Sequence, residues 1–163
     1  NKTLVETLNE GKLTFEEDGL IDLFNDALNT GNIVFTNNYE KADVYIVSVP
    51  TPYDKFSKKV KADYVISAVN SVLEVCDNNS ILIIESTVSP GTIDRYVKPI
   101  VGDKVHLVHA PERIIPGNMI YELKHNSRTI GADDKEIGEK VAEIYRKTTD
   151  GDVIVTDKKC RND

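Results

Sequence analysis

Three apolar, strand-like runs in this chain each break off into a short segment of prolines, hydroxyls or charges. Asp43-Val44-Tyr45-Ile46-Val47-Ser48 leads into Val49-Pro50-Thr51-Pro52. The run at 80–86 leads into Glu85-Ser86-Thr87-Val88-Ser89-Pro90-Gly91-Thr92, and the run at 104–109 into Pro111-Glu112-Arg113-Ile114-Ile115-Pro116-Gly117. A nearly continuous apolar run fits a strand covered on both faces. Ligands of open α/β sheets sit at the carboxyl ends of such strands. Three motif-bearing strand ends on one chain therefore point to one ligand site.

The stretches between these runs carry helical periodicity. Leu4, Val5 and Leu8 recur at helical spacing, with Gly11 as a stop. Leu20, Leu23, Phe24, Ala27 and Leu28 form a second stripe, with Asp18 as its expected cap and Gly31 as its end. Residues 32–36 read as a short strand, and 50–61 as a polar loop with four lysines. Ala62, Val65, Ile66, Val69, Val72, Leu73 and Cys76 share one helical face, and Asp77-Asn78-Asn79 breaks it. Thr92, Ile93, Tyr96, Val97 and Ile100 suggest a helix after the Pro90-Gly91 turn. Residues 127–131 and 152–156 read as strands. Between them Asp133 is the expected cap of a helix whose inner face is Ile137, Val141, Ile144 and Tyr145. Strand–helix alternation of this kind implies right-handed crossovers and a doubly wound parallel α/β sheet. The strands at 44–49, 81–85 and 105–108 are expected to lie parallel in it.

Composition narrows the function classes. The 163 residues suffice for one domain with a real core, and 40% apolar with 29% charged residues reads as soluble and globular. A net charge of −7 argues against nucleic acid or an anionic membrane as the main partner, though a site can still hold an anion locally. No apolar run approaches the roughly 20 residues of a membrane helix, and no signal-peptide pattern opens the chain. Two cysteines, Cys76 and Cys160, make no disulfide framework, so a reducing cytoplasm is expected. His106, His109 and His125 have no metal-site spacing. Cys76 sits on an apolar stripe and reads as core.

Taken together, the motifs resemble the UDP-glucose/GDP-mannose dehydrogenase family. The resemblance rests on Leu8-Asn9-Glu10-Gly11, Glu16-Glu17-Asp18-Gly19-Leu20, Val49-Pro50-Thr51-Pro52, residues 85–92, residues 111–117 and Arg128-Thr129-Ile130-Gly131, in the family's order and spacing. Pro-Glu-Arg-x-x-Pro-Gly is similar to the branch that oxidises UDP-N-acetylhexosamines, UDP-N-acetylmannosamine above all. Asp18 stands where the family usually has proline, and Ala132 where a second glycine is usual.

The resemblance implies a Rossmann-like NAD-binding domain, truncated at both ends. The family's Gly-rich turn precedes the match to Asn1, and its Lys, Asn and Cys lie beyond the match to Asp163. The implied activity is a double oxidation of a UDP-N-acetylhexosamine C6 alcohol to the uronic acid with NAD, for polysaccharide biosynthesis. A homodimer is implied for the full length, and no turnover from these residues alone. If nothing preceded Asn1, the central strands would lack a neighbour. An added N-terminal segment, another chain or a rearranged strand is then expected to fill the gap.

Residue by residue, the resemblance places Pro50 and Thr51 against the NAD. Thr87 lies beside NAD and helps hold water or substrate. Glu112 helps water attack a thioester, and Glu112, Arg113 and Ile114 touch the UDP-sugar. Each has a plainer reading: a rigid strand exit for 49–52, a helix-capping hydroxyl for Thr87, and a surface ion pair for Glu112 and Arg113. Cys160 is not in the position of the family's nucleophile. The rival class is a non-catalytic nucleotide-binding or interaction module that keeps the fold.

Overall fold

The computed structural model describes residues 1–56 and 59–156. The chain opens with helices α1 (Lys2–Asn9) and α2 (Leu20–Asn29), then strand β1 (Val44–Val47). A small antiparallel hairpin follows, β2 (Tyr53–Asp54) with β3 (Lys59–Val60), inside what reads from sequence as a plain loop. Helix α3 (Asp63–Val75) leads to β4 (Ile81–Ile84), then to a π-helical turn at Ile93–Val97 that continues as α4 (Lys98–Val101). Pro99 has no N–H to donate, which interrupts the i→i−4 ladder there. The remaining elements are β5 (His106–His109), α5 (Met119–His125), β6 (Arg128–Ala132), α6 (Lys135–Arg146) and β7 (Val153–Thr156).

The main sheet has the order β1-β4-β5-β6-β7. β1, β4 and β5 are parallel, with Ile46 beside Ile83 and Ile83 beside Val108. Their side chains alternate between two cores. Leu82 and Ile84 face one core, with Val65, Val69 and Val72 of α3 and Ile93, Val97 and Val101 beyond β4. Ile83 faces the other, with Val108, Ile130 and the α6 residues Ile137, Val141 and Tyr145. Burying one such side chain fully stabilises by about 1.5–3 kcal/mol, so cover on both faces explains why these runs are apolar throughout. Cys76 is buried in the first core.

The sheet departs from the parallel expectation at β6, which runs antiparallel to β5, while β7 runs parallel to β6. The connection explains it. α5 buries no residue and is not a crossover helix laid on a sheet face. The chain instead turns beyond the carboxyl end of β5 and comes straight back, pairing His109 with Gly131 and Val108 with Ala132. β6 therefore begins past the end of β5, and Arg128 starts at the carboxyl edge of the parallel strands.

Four local expectations need correction. Residues 32–36 join no ladder; Phe35 packs on Phe24 at 5.8 Å between ring centroids and its carbonyl accepts from Asn9 Nδ2, while Val34 is exposed. A strand exists through its paired neighbours, and none lies there among the described residues. The α2 cap is Gly19, at φ 77° with no side-chain bond, not Asp18. The α6 cap is Asp134, whose carboxylate accepts from Glu136 N and Ile137 N; Asp133 instead pairs with Lys98 at 2.7 Å. Ile144 of α6 is partly exposed, unlike Ile137, Val141 and Tyr145.

Candidate active site

The three motif segments leave the sheet side by side. Ser86 ties the first two together: its hydroxyl accepts from Val49 N and donates to Val49 O, each at 2.8 Å. Pro50 and Thr51 follow that clamp on one strand, and Thr87 follows it on the other. Main-chain bonds extend the row, from Ala110 N to Ile84 O at 2.9 Å and from Glu112 N to Glu85 O at 3.3 Å. Thr87 Oγ1 donates to Glu112 O at 3.3 Å. Thr87 is solvent-exposed and Thr51 half-buried, so both hydroxyls lie where a ligand could reach them.

Behind Glu112 lies a cluster that the residue patterns alone do not reveal. Arg128 is 7% exposed and forms ion pairs with two carboxylates. Its Nη1 donates to Glu85 Oε1 at 2.7 Å, and its Nη2 donates to Glu112 Oε2. The guanidinium lies over the Tyr145 ring, 4.1 Å from the centroid, and Tyr145 OH donates to Glu85 Oε1 at 3.2 Å. Burial, and after it the Glu85 charge, pushes the Tyr145 hydroxyl well above its ordinary range, so it acts as a neutral donor. Removing one partner of a buried ion pair costs about 3–5 kcal/mol because it strands the other charge.

The rest of the Pro-Glu-Arg segment is held from below. Arg113 N donates to Glu112 Oε1 at 2.7 Å, and Arg113 O accepts from Asn126 Nδ2 at 3.2 Å. Ile115 N donates to Glu122 Oε2 at 2.8 Å. Gly117 N and Met119 N both donate to the Glu17 carboxylate, at 2.9 and 2.7 Å. These bonds leave the Arg113 side chain exposed and Ile114 half-buried.

The histidines lie apart from one another in role. His109 is buried, and His125 stacks on Tyr121 at 4.0 Å. Among the described residues no group of three or more His, Cys, Asp or Glu could hold a metal, and no helix is long and apolar enough to cross a membrane. Cys160 lies outside the described residues.

Comparison with known proteins shows the family. Residues 1–149 match the model of the UDP-glucose/GDP-mannose dehydrogenase family, NAD binding domain. The chain belongs to this family. It is 39% identical over 158 residues to the UDP-N-acetyl-D-mannosamine dehydrogenase of Methanococcus aeolicus, covering 94% of this chain and 36% of that one. The Methanococcus vannielii protein of the same description is 38% identical over 156 residues, again 94% and 36%. The solved UDP-N-acetyl-mannosamine dehydrogenase of Staphylococcus aureus superposes with a TM-score of 0.90 at 33% identity, covering 99% of this chain and 41% of that one. The chain thus spans well under half the length of these relatives.

NAD is the cofactor of the family domain. The residues present fit one side of such a ligand. Two exposed or half-buried threonines stand at adjoining strand ends, and Gly91, at φ 79°, has nothing within 4 Å of where a Cβ would be. Backbone can approach a ligand closely at such a glycine. Pro50, Thr51 and Thr87 stand at those strand ends.

Proposed function

We propose that this chain is part of the NAD-binding half of a UDP-N-acetylhexosamine 6-dehydrogenase that acts on UDP-N-acetylmannosamine. The observation that carries the reading is the Glu112 carboxylate, held by Arg128 at the carboxyl edge on a segment whose main chain accepts from Thr87, in a chain similar throughout to enzymes of that description. NAD, when bound, supplies the hydride acceptor for both oxidations.

The chain's own part is to position and to move a proton. Thr51 and Thr87 orient ligands at the sheet edge. The Arg113 guanidinium presents a planar fork suited to the diphosphate of a UDP-sugar, with Ile114 against the same ligand. Glu112 acts on the water that releases the product from the family's cysteine thioester. Water oxygen bonds to the acyl carbon as one of its protons passes to the Glu112 carboxylate; the C–S bond then breaks and sulfur leaves as thiolate. Full length, the enzyme is read as a cytoplasmic homodimer that supplies polysaccharide biosynthesis.

The test is to supply the full-length protein with NAD and UDP-N-acetylmannosamine, and separately with UDP-glucose. About two NADH formed per uronate from the first substrate, and little of either from the second, supports the reading. NAD binding without NADH formation from any UDP-sugar would favour the non-catalytic module instead.

A further inference from the structure

Both oxygens of the Glu112 carboxylate are tethered. Oε1 accepts from Arg113 N at 2.7 Å, and Oε2 accepts from Arg128 Nη2. The first tether is a neighbour in the same loop. The second comes from the sheet and is itself fixed by Glu85, at 2.7 Å, and by the Tyr145 ring beneath it, at 4.1 Å. Arg128 sits there only because β6 runs antiparallel and starts beyond the end of β5. A parallel β6 would carry its first residue to the opposite edge.

A guanidinium buried for stability alone is neutralised by one carboxylate, and Glu85 suffices for that. The second carboxylate leaves the cluster with a surplus negative charge, and that carboxylate belongs to the loop that also receives Thr87. Each carboxylate oxygen has two lone pairs. One tether per oxygen therefore fixes the plane of the group and leaves a lone pair on each for water. An arginine fork donates from two rigidly related nitrogens, so anchoring Nη1 on Glu85 fixes where Nη2 points.

We infer that Arg128 is a positioning residue for Glu112, and that Glu85 and Tyr145 hold Arg128 for that task. The inference rests on the reading of Glu112 as the group that takes a proton from the hydrolytic water. Arg128 touches no substrate; it acts through Glu112, on the hydrolytic step and not on hydride transfer.

The experiment is rapid-mixing kinetics of NADH formation from UDP-N-acetylmannosamine in the full-length enzyme. Arg128→Lys should leave the NADH burst within about twofold of wild type and slow steady-state turnover roughly ten- to a hundredfold, the scale of an ångström-level misplacement. The KM values for NAD and UDP-sugar should hold. In a Glu112→Gln background, Arg128→Lys should slow turnover no further, because the residue it acts through is already gone. Glu85→Gln, which keeps the shape and removes the anchoring charge, should slow the same step, and it decides the matter if the arginine variant does not fold. Equal slowing of burst and steady state, unchanged turnover, or additive losses in the double variant would each overturn the assignment. A wild-type enzyme that forms no NADH refutes the dehydrogenase reading and takes this inference with it; a working wild type with any of those three results refutes the inference alone.

Discussion

Gly151 offers the most direct check of how the turn before β7 supports the site. A Cβ built there would lie 2.5 Å from Asn126 O, 2.6 Å from Asn126 C and 2.7 Å from His125 O. Ordinary contact begins near 3.4 Å, so an alanine must displace main chain by close to an ångström. Backbone cannot rotate aside as a side-chain tip can. The turn is pinned as well: Thr149 Oγ1 shares its one proton between Lys124 O and Asn126 O, at 3.1 and 3.2 Å, and accepts from Gly151 N at 3.0 Å. Against the clash stands only the gain from a stiffer unfolded chain, about 0.4–1 kcal/mol. Overpacking of this kind costs about 1–3 kcal/mol, and rigid backbone on both sides puts Gly151→Ala at the upper end. For a domain of this size about 3 kcal/mol lowers Tm by roughly 6–12 °C. The displaced segment is the one that enters β6, where Arg128 N donates to Asp152 O at 2.8 Å. Turnover measured well below the new Tm should therefore fall too. The assay is differential scanning fluorimetry beside steady-state kinetics; a Tm unchanged or raised would show that the close packing of this turn on α5 is wrong.

Other outcomes follow from the same geometry. Gly138→Ala sets a helix-propensity gain of about 1 kcal/mol against a Cβ placed 2.7 Å from Val155 Cγ1 and 3.2 Å from Ala132 Cβ; because a β-branched side chain is stiff, thermal melts should show net loss, and a gain would refute the packing of α6 on β6 and β7. In the full-length enzyme Glu112→Gln should leave an NADH burst followed by slow turnover, and equal slowing of both phases would remove Glu112 from the hydrolytic step. Arg113→Lys keeps the charge and loses the fork, so the KM for UDP-sugar should rise about tenfold while that for NAD holds; the reverse pattern would place Arg113 on the cofactor. Tyr145 has its folded value raised, so the folded state keeps a proton that the unfolded state releases above about pH 10. Its contribution is full below that pH and is lost as pH rises, by about 1.4 kcal/mol per unit. The stability difference between wild type and Tyr145→Phe, measured by urea unfolding, should shrink from pH 9 to pH 11, and a constant difference would refute the shift.

What could be read in the sequence, and what could not, divides along a physical line. The parallel core was legible because burial on both faces forces an unbroken apolar run, and 81–84 shows it residue by residue: Leu82 and Ile84 serve one core, Ile83 the other. The adjoining strand ends were legible because loops there carry prolines and hydroxyls, and the Ser86 clamp on Val49 brings two of them together. Strand direction was not legible, because Arg128–Ala132 has the same alternation whichever way it runs. The available hint was the length of α5, seven residues, short for a crossover helix laid on a sheet. That one missed direction hid the cluster. Arg128 meets Glu85 and Glu112 across 43 and 16 residues of chain, a pairing set by topology and invisible to periodicity. A charge at the head of a buried-type strand is nonetheless a signal. It must either surface or find partners, and here the antiparallel return supplies two carboxylates and an aromatic face. Among the described strands, the main sheet thus uses its one antiparallel pairing to carry a buried cation to the edge where the candidate chemistry lies.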